Sequence, residues 1–436
     1  MLVALGAAAL AGTGNAARGQ WTVTVLGPVG QDSSANGGVG GAGPNMSGGL
    51  TPGAQVGYVL VPVGTTGQTQ YHAALWNGTA VNWVDLHPPG AASSIAFSVA
   101  QVAGVVAGRK SVEVGGVAVL GAYHAAMWPS GGGTVGGVPV WNDLNPVGAN
   151  ASLALCVIAD GGTLGTGTTE VGFATFGVSD HAGMWSGPDA QWTDLHPIGP
   201  NWIGLTHSHA VACDASQQVG YATIGTWHAT VWSGSASSAV DLHPPGSTRS
   251  ECAGVSGGVQ VGNAIFGGLK HATLWRGTPG SIVDLHPTFA VTDATASVAT
   301  SISGPWQAGD VTIGGIHHAS IWNGSAATWV DISLALGDGW GNSYARGIWR
   351  DGATLFVAGE AINAQTGREV AILWRRTICC PADFDCSGGP VPVSVADIFD
   401  FIGAWFAGDP RADVNGVNGI NVQDIFDFLT AWFAGC

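Results

Sequence analysis

A strand-like segment with a histidine and a tryptophan four residues apart recurs along most of the chain, and this repeat limits what the chain can fold into. In the copy at 218–246, β-prone segments are separated by Gly, Ser and Pro turns, and His228, Thr230 and Trp232 alternate on one strand face. The upstream segment SHAVA at 208–212 adds a fourth strand. Each copy is therefore predicted to form one antiparallel four-stranded meander.

The histidine–tryptophan pair occurs six times, and the tryptophan occurs a seventh time alone. Successive tryptophans are 43 to 57 residues apart, which is the period expected of propeller blades. One such sheet buries little surface, so its faces must pack on neighbouring sheets, and the 71 glycines permit that approach and close the turns. The copies are His72/Trp76, His124/Trp128, His181/Trp185, His228/Trp232, His271/Trp275, His318/Trp322 and Trp374.

The last repeat lacks the Asp-Leu strand that follows the tryptophan in the other copies. A segment that matches it, WTVTVLGPVG at 21–30, stands near the start of the chain and is similar to WVDLHPPG at 83–90. We therefore expect an all-β fold, a seven-bladed β-propeller closed by the N-terminal strand, with residues 21–26 paired beside 369–375. Closure would remove the exposed sheet edges of an open array.

The repeated histidines and aspartates are interpreted as structural, with a ring of metal ligands as the alternative. Histidine and tryptophan on one strand face form packing and hydrogen-bond clusters, and an aspartate before a strand end accepts N–H bonds from the next turn. His207, His209 and His317 fall outside the repeat and are candidates for a surface site. No catalytic residue is assigned, because no acid pair for glycoside hydrolysis can be identified from the sequence.

After Arg376 the alternating pattern gives way to two near-identical amphipathic helical segments, at 396–406 and 423–433. Each follows an acidic loop that carries oxygen-bearing side chains at the spacing of a twelve-residue calcium loop. The second loop runs from Asp413 to Asp424, and the first runs from Asp383 to Asp397 with three additional residues. The helices and loops together predict a small helical module that binds metal.

Two family resemblances follow from these motifs. The Q-V-G-x-A, H-A-x-x-W and D-L segments look like the HAF repeats of secreted bacterial proteins, although Ala, Gly, Thr or Ser replaces the usual Phe after His-Ala. Residues 377–436 resemble a type I dockerin, which implies two EF-hand-like loops, up to two Ca²⁺ ions and docking to a cohesin-like protein receptor. Val417 and Asn418 depart from the loop pattern, so weak binding is expected at one or both sites. The implied ligands are Asp383, Asp385, Ser387, Asp397, Asp413, Asn415, Asn421 and Asp424.

The chain is expected to have three parts, which are a signal peptide at 1–17, a HAF-repeat propeller at 18–376 and a dockerin-like domain at 377–436. Leu2–Gly12 is apolar and is followed by small residues, but basic residues do not precede it, so either the true start lies upstream or the signal is weak. These features predict an extracellular or cell-surface protein that is not inserted in the membrane after signal removal. The formal charge of −16 argues against a nucleic-acid partner.

The seven cysteines fall into two groups. Three lie in the first strands of successive repeats and are interpreted as small buried side chains: Cys156, Cys213 and Cys252. Four bracket the helical module: Cys379, Cys380, Cys386 and Cys436. In an exported chain one of the first two of these could pair with the last and the other with the third, and the sequence leaves the pairing open.

Two classes of function remain open. The favoured one is a secreted, non-catalytic binding or scaffold protein, whose propeller presents a surface to a carbohydrate or other cell-surface ligand and whose dockerin-like module tethers it. The alternative is a carbohydrate-active propeller enzyme, a glycoside hydrolase or polysaccharide lyase, with the same tag. Two or three carboxylates or unpatterned histidines converging at one end of the channel would favour the enzyme.

Overall fold

The computed structural model describes most of the repeat region and parts of the helical module, and it divides the chain into two units. One consists of Thr22–Asp351 and Leu355–Arg375, and the other contains Arg376–Cys436. The segment predicted to be a signal peptide, 1–17, lies outside the described residues. Those residues are 21–28, 30–39, 54–64, 68–78, 83–103, 109–129, 134–135, 138–159, 168–187, 190–288, 293–351, 354–378, 382–384, 393–409, 412, 414 and 419–434.

The first unit is a seven-bladed β-propeller in which every blade is a four-stranded antiparallel meander. The first strands of successive blades contact one another in a closed ring, so they are the innermost strands. Blade 1 has β2 (Ser33–Val39), β3 (Ala54–Val63), β4 (Gln68–Trp76) and β5 (Val84–Asp85); blade 2 has β6 (Ser94–Ala103), β7 (Arg109–Val119), β8 (Ala122–Trp128) and β11 (Asn142–Asp143), with a small hairpin of β9 (Thr134–Val135) and β10 (Val138–Pro139) before its last strand; blade 3 has β12 (Ala151–Ala159), β13 (Thr168–Phe176), β14 (Ser179–Ser186) and β15 (Gln191–Asp194).

The remaining four blades repeat this order. Short 3-10 turns lie at Pro200–Trp202, Ala236–Ser238, Pro279–Ser281, Ala326–Thr328 and Ser333–Leu336. Blade 4 has β16 (Leu205–Cys213), β17 (Gln218–Ile224), β18 (Thr226–Trp232) and β19 (Val240–Asp241); blade 5 has β20 (Ser250–Ser256), β21 (Val259–Phe266), β22 (Leu269–Trp275) and β23 (Val283–Asp284); blade 6 has β24 (Ala294–Ser303), β25 (Trp306–Ile313), β26 (Ile316–Trp322) and β27 (Val330–Asp331); blade 7 has β28 (Trp340–Asp351), β29 (Thr354–Asn363), β30 (Glu369–Thr377) and, from the other end of the chain, β1 (Thr22–Val25).

The N-terminal strand completes the last blade, as predicted. In the antiparallel pair of β1 and β30, Thr22 lies opposite Arg375 and Val25 lies opposite Ile372. The next residue, Leu26, donates its N–H to the carbonyl of Ala371 at 2.8 Å and is fully buried. The leucine of the Asp-Leu motif makes the same bond in blades 1 to 5, and Ile332 makes it in blade 6. The ring is therefore closed by a copy of the repeat's fourth strand that comes from the opposite end of the chain.

The tryptophan at the end of each third strand fills the space between blades. Trp232 is fully buried and packs on Val171, Ala182 and Leu195 of the preceding blade. At two junctions the indole N–H also donates to the leucine carbonyl of the preceding blade, from Trp128 to Leu86 and from Trp185 to Leu144. The core is thus a series of contacts between blades, which explains why one repeat cannot be stable alone.

The glycine of the Q-V-G motif is needed for backbone packing within each blade. In blade 4 the pairing of the first two strands shifts by one residue between Ala210 and Ala212, which marks a β-bulge. A Cβ on Gly220 would lie 1.9 Å from the carbonyl oxygen of His209, which no side chain can accommodate. The repeat therefore retains glycine here for steric reasons.

The second unit contains the two predicted helices, α1 (Val395–Ala407) and α2 (Val422–Ala434). Phe401 and Phe428 stack with ring centroids 4.2 Å apart at its centre. Trp405 donates its indole N–H to the carbonyl of Asn421, and Trp432 donates to that of Ser394. The end of each helix therefore lies beside the start of the other, and the two are antiparallel. In the described part of the chain, neither helix has the length and apolar character needed to cross a membrane.

Candidate functional site

The repeated histidine and aspartate form one hydrogen-bonded pair in each of the first six blades. The imidazole Nδ1 lies 2.8 Å from one carboxylate oxygen in every pair. The other oxygen accepts a backbone N–H two residues later, as from His243 to Asp241 at 2.8 Å. The aspartate therefore accepts a backbone N–H from the following turn, as predicted, and the histidine bonds to that aspartate. The pairs are His72–Asp85, His124–Asp143, His181–Asp194, His228–Asp241, His271–Asp284 and His318–Asp331.

A second histidine ties one blade to the next at four junctions. His243 stacks on His228, and its Nδ1 lies 2.8 Å from the hydroxyl oxygen of Ser250 in blade 5. That oxygen accepts the Ala229 N–H, so the serine proton can be donated to Nδ1, while the Nε2 of His243 lies 3.1 Å from the Ser247 carbonyl oxygen. Burial, and then the neighbouring histidine, lower the pKa of His243, which favours the neutral ring that this arrangement requires.

We call this contact between the second histidine and the serine of the next blade the buried serine joint. Its serine was not recognised from the sequence. It is among the first four residues of the first strand of every blade and accepts the N–H of an alanine in the preceding blade, at distances of 2.8 to 3.0 Å. A serine follows the repeat aspartate of each of the first six blades, but at intervals that vary from 9 to 14 residues, so the spacing was only a weak signal. Asn145 takes the place of the second histidine between blades 2 and 3. The serines, each at most 1% exposed, are Ser33, Ser94, Ser152, Ser208, Ser250, Ser297 and Ser343.

Side chains whose type differs from blade to blade lie at the edge of the blades where the second histidines also lie. Three positions in each blade contribute: the residue after the buried serine, the residue after the bulge glycine, and the residue two before the alanine that donates to the serine. The strand register places all three on one face. We call these positions the variable belt: Ser34, Tyr58, Tyr71, Ile95, Gly116, Tyr123, Leu153, Phe173, Asp180, His209, Tyr221, Trp227, Glu251, Asn263, Lys270, Val298, Asp310, His317, Tyr344, Glu360 and Glu369.

Two glutamates of the variable belt lie close together between blades 7 and 1. Glu360 is 3% exposed and accepts hydrogen bonds from Arg346 at 2.8 Å and from the Ser34 hydroxyl at 2.7 Å. Glu369 is half-buried and accepts the Tyr58 hydroxyl at 2.6 Å. Burial raises the pKa of the Glu369 carboxyl, although the Tyr58 hydrogen bond acts in the opposite direction. Among the described residues, Glu360 is paired with an arginine and Glu369 with a tyrosine, so the two carboxyl groups have different surroundings.

Four rings of the variable belt and the neighbouring guanidinium of Arg249 form a stack that crosses blades 3, 4 and 5. Phe173 and His209 stack at 3.9 Å, and His209 stacks on Tyr221 at 4.8 Å. Tyr221 stacks on Trp227 at 4.2 Å, and the Arg249 guanidinium lies 3.4 Å above the Trp227 ring. All five side chains are partly exposed. Because they cover one another's faces, they present ring edges and polar atoms to a ligand.

The three histidines outside the repeat each contact a belt aspartate. His209 Nε2 lies 3.0 Å from Asp180, and the Asp180 N–H donates to His207 at 3.2 Å. In blade 6, His317 Nδ1 lies 2.7 Å from Asp310 on the adjacent strand. Burial lowers the pKa of His209 despite its aspartate partner. Within the described ranges, no group of three or more His, Cys, Asp or Glu side chains is arranged to hold a metal ion.

In the helical unit the structure describes four of the eight residues expected to bind calcium. Asp397 and Asp424 are fully buried, Asp383 is 3% exposed and Asn421 is partly exposed. The other four lie outside the described residues: Asp385, Ser387, Asp413 and Asn415. The cysteines of the expected disulfides also lie outside them: Cys379, Cys380, Cys386 and Cys436.

The aspartate that closes each loop is anchored to the start of a helix. Asp424 accepts the N–H groups of Asn421 at 2.8 Å and Val414 at 3.0 Å, and Asp397 accepts that of Ser394 at 2.7 Å. Asn421 caps α2 by accepting the Gln423 N–H. Carboxylate oxygens are of the type that Ca²⁺ prefers, so the described residues fit a calcium site in the chemistry of their donor atoms.

Comparison with known proteins gives only distant structural similarity. No protein-family profile matches the chain, and no curated protein matches it. A puromycin hydrolase structure is 12% identical with a TM-score of 0.46, over 73% of this chain and 51% of the hydrolase, so about half of that protein is spanned. The propeller domain of the Trilobed protease from Pyrococcus furiosus is 9% identical with a TM-score of 0.43, over 74% of this chain and 91% of that domain. An α-L-arabinofuranosidase from Podospora anserina is 10% identical with a TM-score of 0.30, over 64% and 89%.

Proposed function

We propose that the chain is a secreted, non-catalytic binding or scaffold protein that acts outside the cell or at its surface. The HAF-repeat propeller binds a carbohydrate or other cell-surface ligand at the variable belt, and the C-terminal dockerin-like module tethers it to a cohesin-like receptor in a calcium-dependent way. The observation that carries the proposal is that repeated and non-repeated side chains have different roles in each blade. The repeated polar side chains bond to one another and to the backbone, while the side chains that differ between blades share one edge.

The composition of the variable belt suits a polar ligand with many hydroxyl groups. Tyrosine and tryptophan edges supply apolar contact, and Asp180, Glu251 and Arg249 supply charged donors and acceptors beside them. Such a mixture of a few polar groups on aromatic surface is typical of small-ligand and sugar sites.

Affinity electrophoresis through gels containing neutral or acidic polysaccharides tests the ligand surface. We expect at least one polysaccharide to retard the protein and Arg249→Ala to weaken that interaction by about tenfold, because the guanidinium covers the Trp227 ring. Arg276→Ala is the matched control, since Arg276 is exposed on the turn after β22, at the other edge of blade 5. If the polysaccharide retards both variants and the parent equally, the variable belt is not the binding surface.

The tether is supported by the buried loop aspartates and by exposed aromatic side chains on both helices. Phe399 is 72% exposed and Phe426 is 59% exposed, and they occupy equivalent positions in α1 and α2. Phe406 and Phe433 are similarly paired, at 78% and 79%. Exposed aromatic side chains on a small unit are suited to docking on a protein receptor.

Calorimetric titration of the full chain with Ca²⁺ tests the metal part of this proposal. Asp424→Asn should lower calcium affinity at least about tenfold, because the closing carboxylate contributes charge as well as oxygen ligands. Asp400→Asn, on the exposed surface of α1, is the matched control and should bind like the parent. Absence of calcium binding by the parent protein would eliminate the calcium-dependent tether.

The two glutamates of the variable belt favour a second candidate, a carbohydrate-active enzyme. Glu369, whose carboxyl has a raised pKa, would act as the general acid, and Glu360, which is paired with Arg346, would be the second carboxyl group of the site. Glu369→Gln should then abolish turnover of a polysaccharide while preserving its binding. If the parent releases no reducing ends or unsaturated products from any polysaccharide that it binds, this candidate fails.

A further inference from the structure

Two cysteines from neighbouring blades face each other. Cys156 lies in β12, the first strand of blade 3, and Cys213 ends β16, the first strand of blade 4. Their sulfur atoms are 2.7 Å apart. A disulfide bond is about 2.05 Å long, whereas two sulfur atoms without a covalent bond are normally kept much farther apart by van der Waals repulsion. The fold therefore already brings the two sulfur atoms to a separation close to that of a disulfide bond.

The surroundings distinguish this pair from the third cysteine of the series. Cys213 is 8% exposed and belongs to the apolar cluster between blades 3 and 4, against which Cys156 packs. Cys252 is 1% exposed and lies in the next cluster, among Val219 and Trp275. The interpretation as a small buried hydrophobic side chain therefore suits Cys252, while the other two sulfurs contact each other.

We propose that Cys156 and Cys213 form a disulfide that joins blades 3 and 4 in the mature protein. The proposal rests on the export included in the proposed function, because disulfides persist in oxidising compartments. The pair is separate from the cysteines that bracket the helical module. It links the innermost strands of two blades that also carry the aromatic stack of the variable belt, since His209 lies on β16 only four residues before Cys213.

The bond forms by exchange with an external disulfide, such as oxidised glutathione or an oxidoreductase. The Cys156 thiol is partly exposed, so it loses its proton and attacks one sulfur of the donor, and the other donor sulfur leaves as a thiolate. The Cys213 thiol then loses its proton and attacks the Cys156 sulfur, and the donor sulfur bound there leaves as a second thiolate. Two protein thiols are oxidised, and the donor takes up two electrons and the two protons. Burial raises the pKa of Cys213 and so disfavours its thiolate, which is why the partly exposed Cys156 is the thiol that attacks first.

The disulfide would constrain the unfolded chain over a separation of 57 residues. We expect the oxidised protein to unfold roughly 5 °C above the reduced one. This difference should vanish in Cys156→Ser and in Cys213→Ser, and it should persist in Cys252→Ser, which is the matched control. Because the comparison is between oxidised and reduced forms of each variant, a general loss of stability caused by a substitution does not obscure it.

Peptide mapping identifies the bond directly. The full chain is recovered from the culture medium of its native host, denatured in iodoacetamide without reductant and digested with pepsin. A cross-linked Cys156–Cys213 peptide together with alkylated Cys252 supports the proposal. A second sample is reduced, refolded and exposed to oxidised glutathione. If Cys156 and Cys213 are alkylated in both samples, the pairing is overturned. If the host does not release the protein, proposed export fails, while a cross-link in the glutathione sample still supports the pairing.

Discussion

Closure of the ring by the N-terminal strand makes a quantitative prediction about Leu26. This residue is fully buried between blades 7 and 1, in a cluster with Leu373 and Trp349, and its N–H bonds to Ala371. Leu26→Ala should therefore cost about 2–5 kcal/mol, as for other buried leucines, and lower Tm by roughly 3–7 °C. Leu242→Ala provides the matched comparison, because Leu242 holds the same place in blade 4, is also fully buried, and lies far from either chain end.

Equilibrium unfolding in guanidinium chloride, followed by tryptophan fluorescence with refolding as a check of reversibility, measures both values. We expect the two leucine variants to lose similar free energy, since the same fourth-strand contact is removed from each. Val25→Ala, at a position that is 40% exposed, should change stability by less than about 1 kcal/mol. A loss below about 0.5 kcal/mol for Leu26→Ala, beside a loss within the expected range for Leu242→Ala, would show that the N-terminal strand adds little to ring stability and would refute this reasoning.

Three further predictions concern the joints between and within blades. Ser250→Ala removes both the acceptor of a buried N–H and the donor to a histidine, so chemical denaturation should show a loss of about 2–3 kcal/mol. Burial and a neighbouring histidine lower the pKa of His196 to about 4, so only the unfolded chain takes up a proton as pH falls below 6.5. The contribution of His196 to the free energy of unfolding should be full above pH 6.5 and decline towards pH 4, by about 1 kcal/mol after allowance for partial exposure. His196→Asn should flatten that decline. This substitution places at the junction the residue type that Asn145 supplies between blades 2 and 3. Gly220→Ala should cost at least about 2 kcal/mol because of its carbonyl clash, whereas Gly280→Ala, with open space around it, should be nearly neutral in the same denaturation assay.

Much of the candidate site could not be predicted from the sequence. The two glutamates of the belt have hydrogen-bond partners that lie far from them in the sequence. Glu360 and its partner Ser34 are 326 positions apart, and Glu369 and its partner Tyr58 are 311 positions apart. No local pattern connects such residues. Their contacts arise only because the first and last blades of the propeller become neighbours when the ring closes. The aromatic stack likewise joins residues from three successive blades, whose side chains have no common periodicity.

The sequence by itself determined the number of blades, the order of their strands, the closing role of residues 21–26 and the turn-holding role of the repeated aspartates. These features depend on local alternation and turn chemistry that recur from blade to blade, so each copy supports the interpretation of the others. Only the tertiary structure revealed the buried serine joint, the variable belt and the sulfur contact between Cys156 and Cys213. Those features lie between neighbouring blades, and their geometry depends on how the sheets twist and pack, which the pattern within one repeat does not encode.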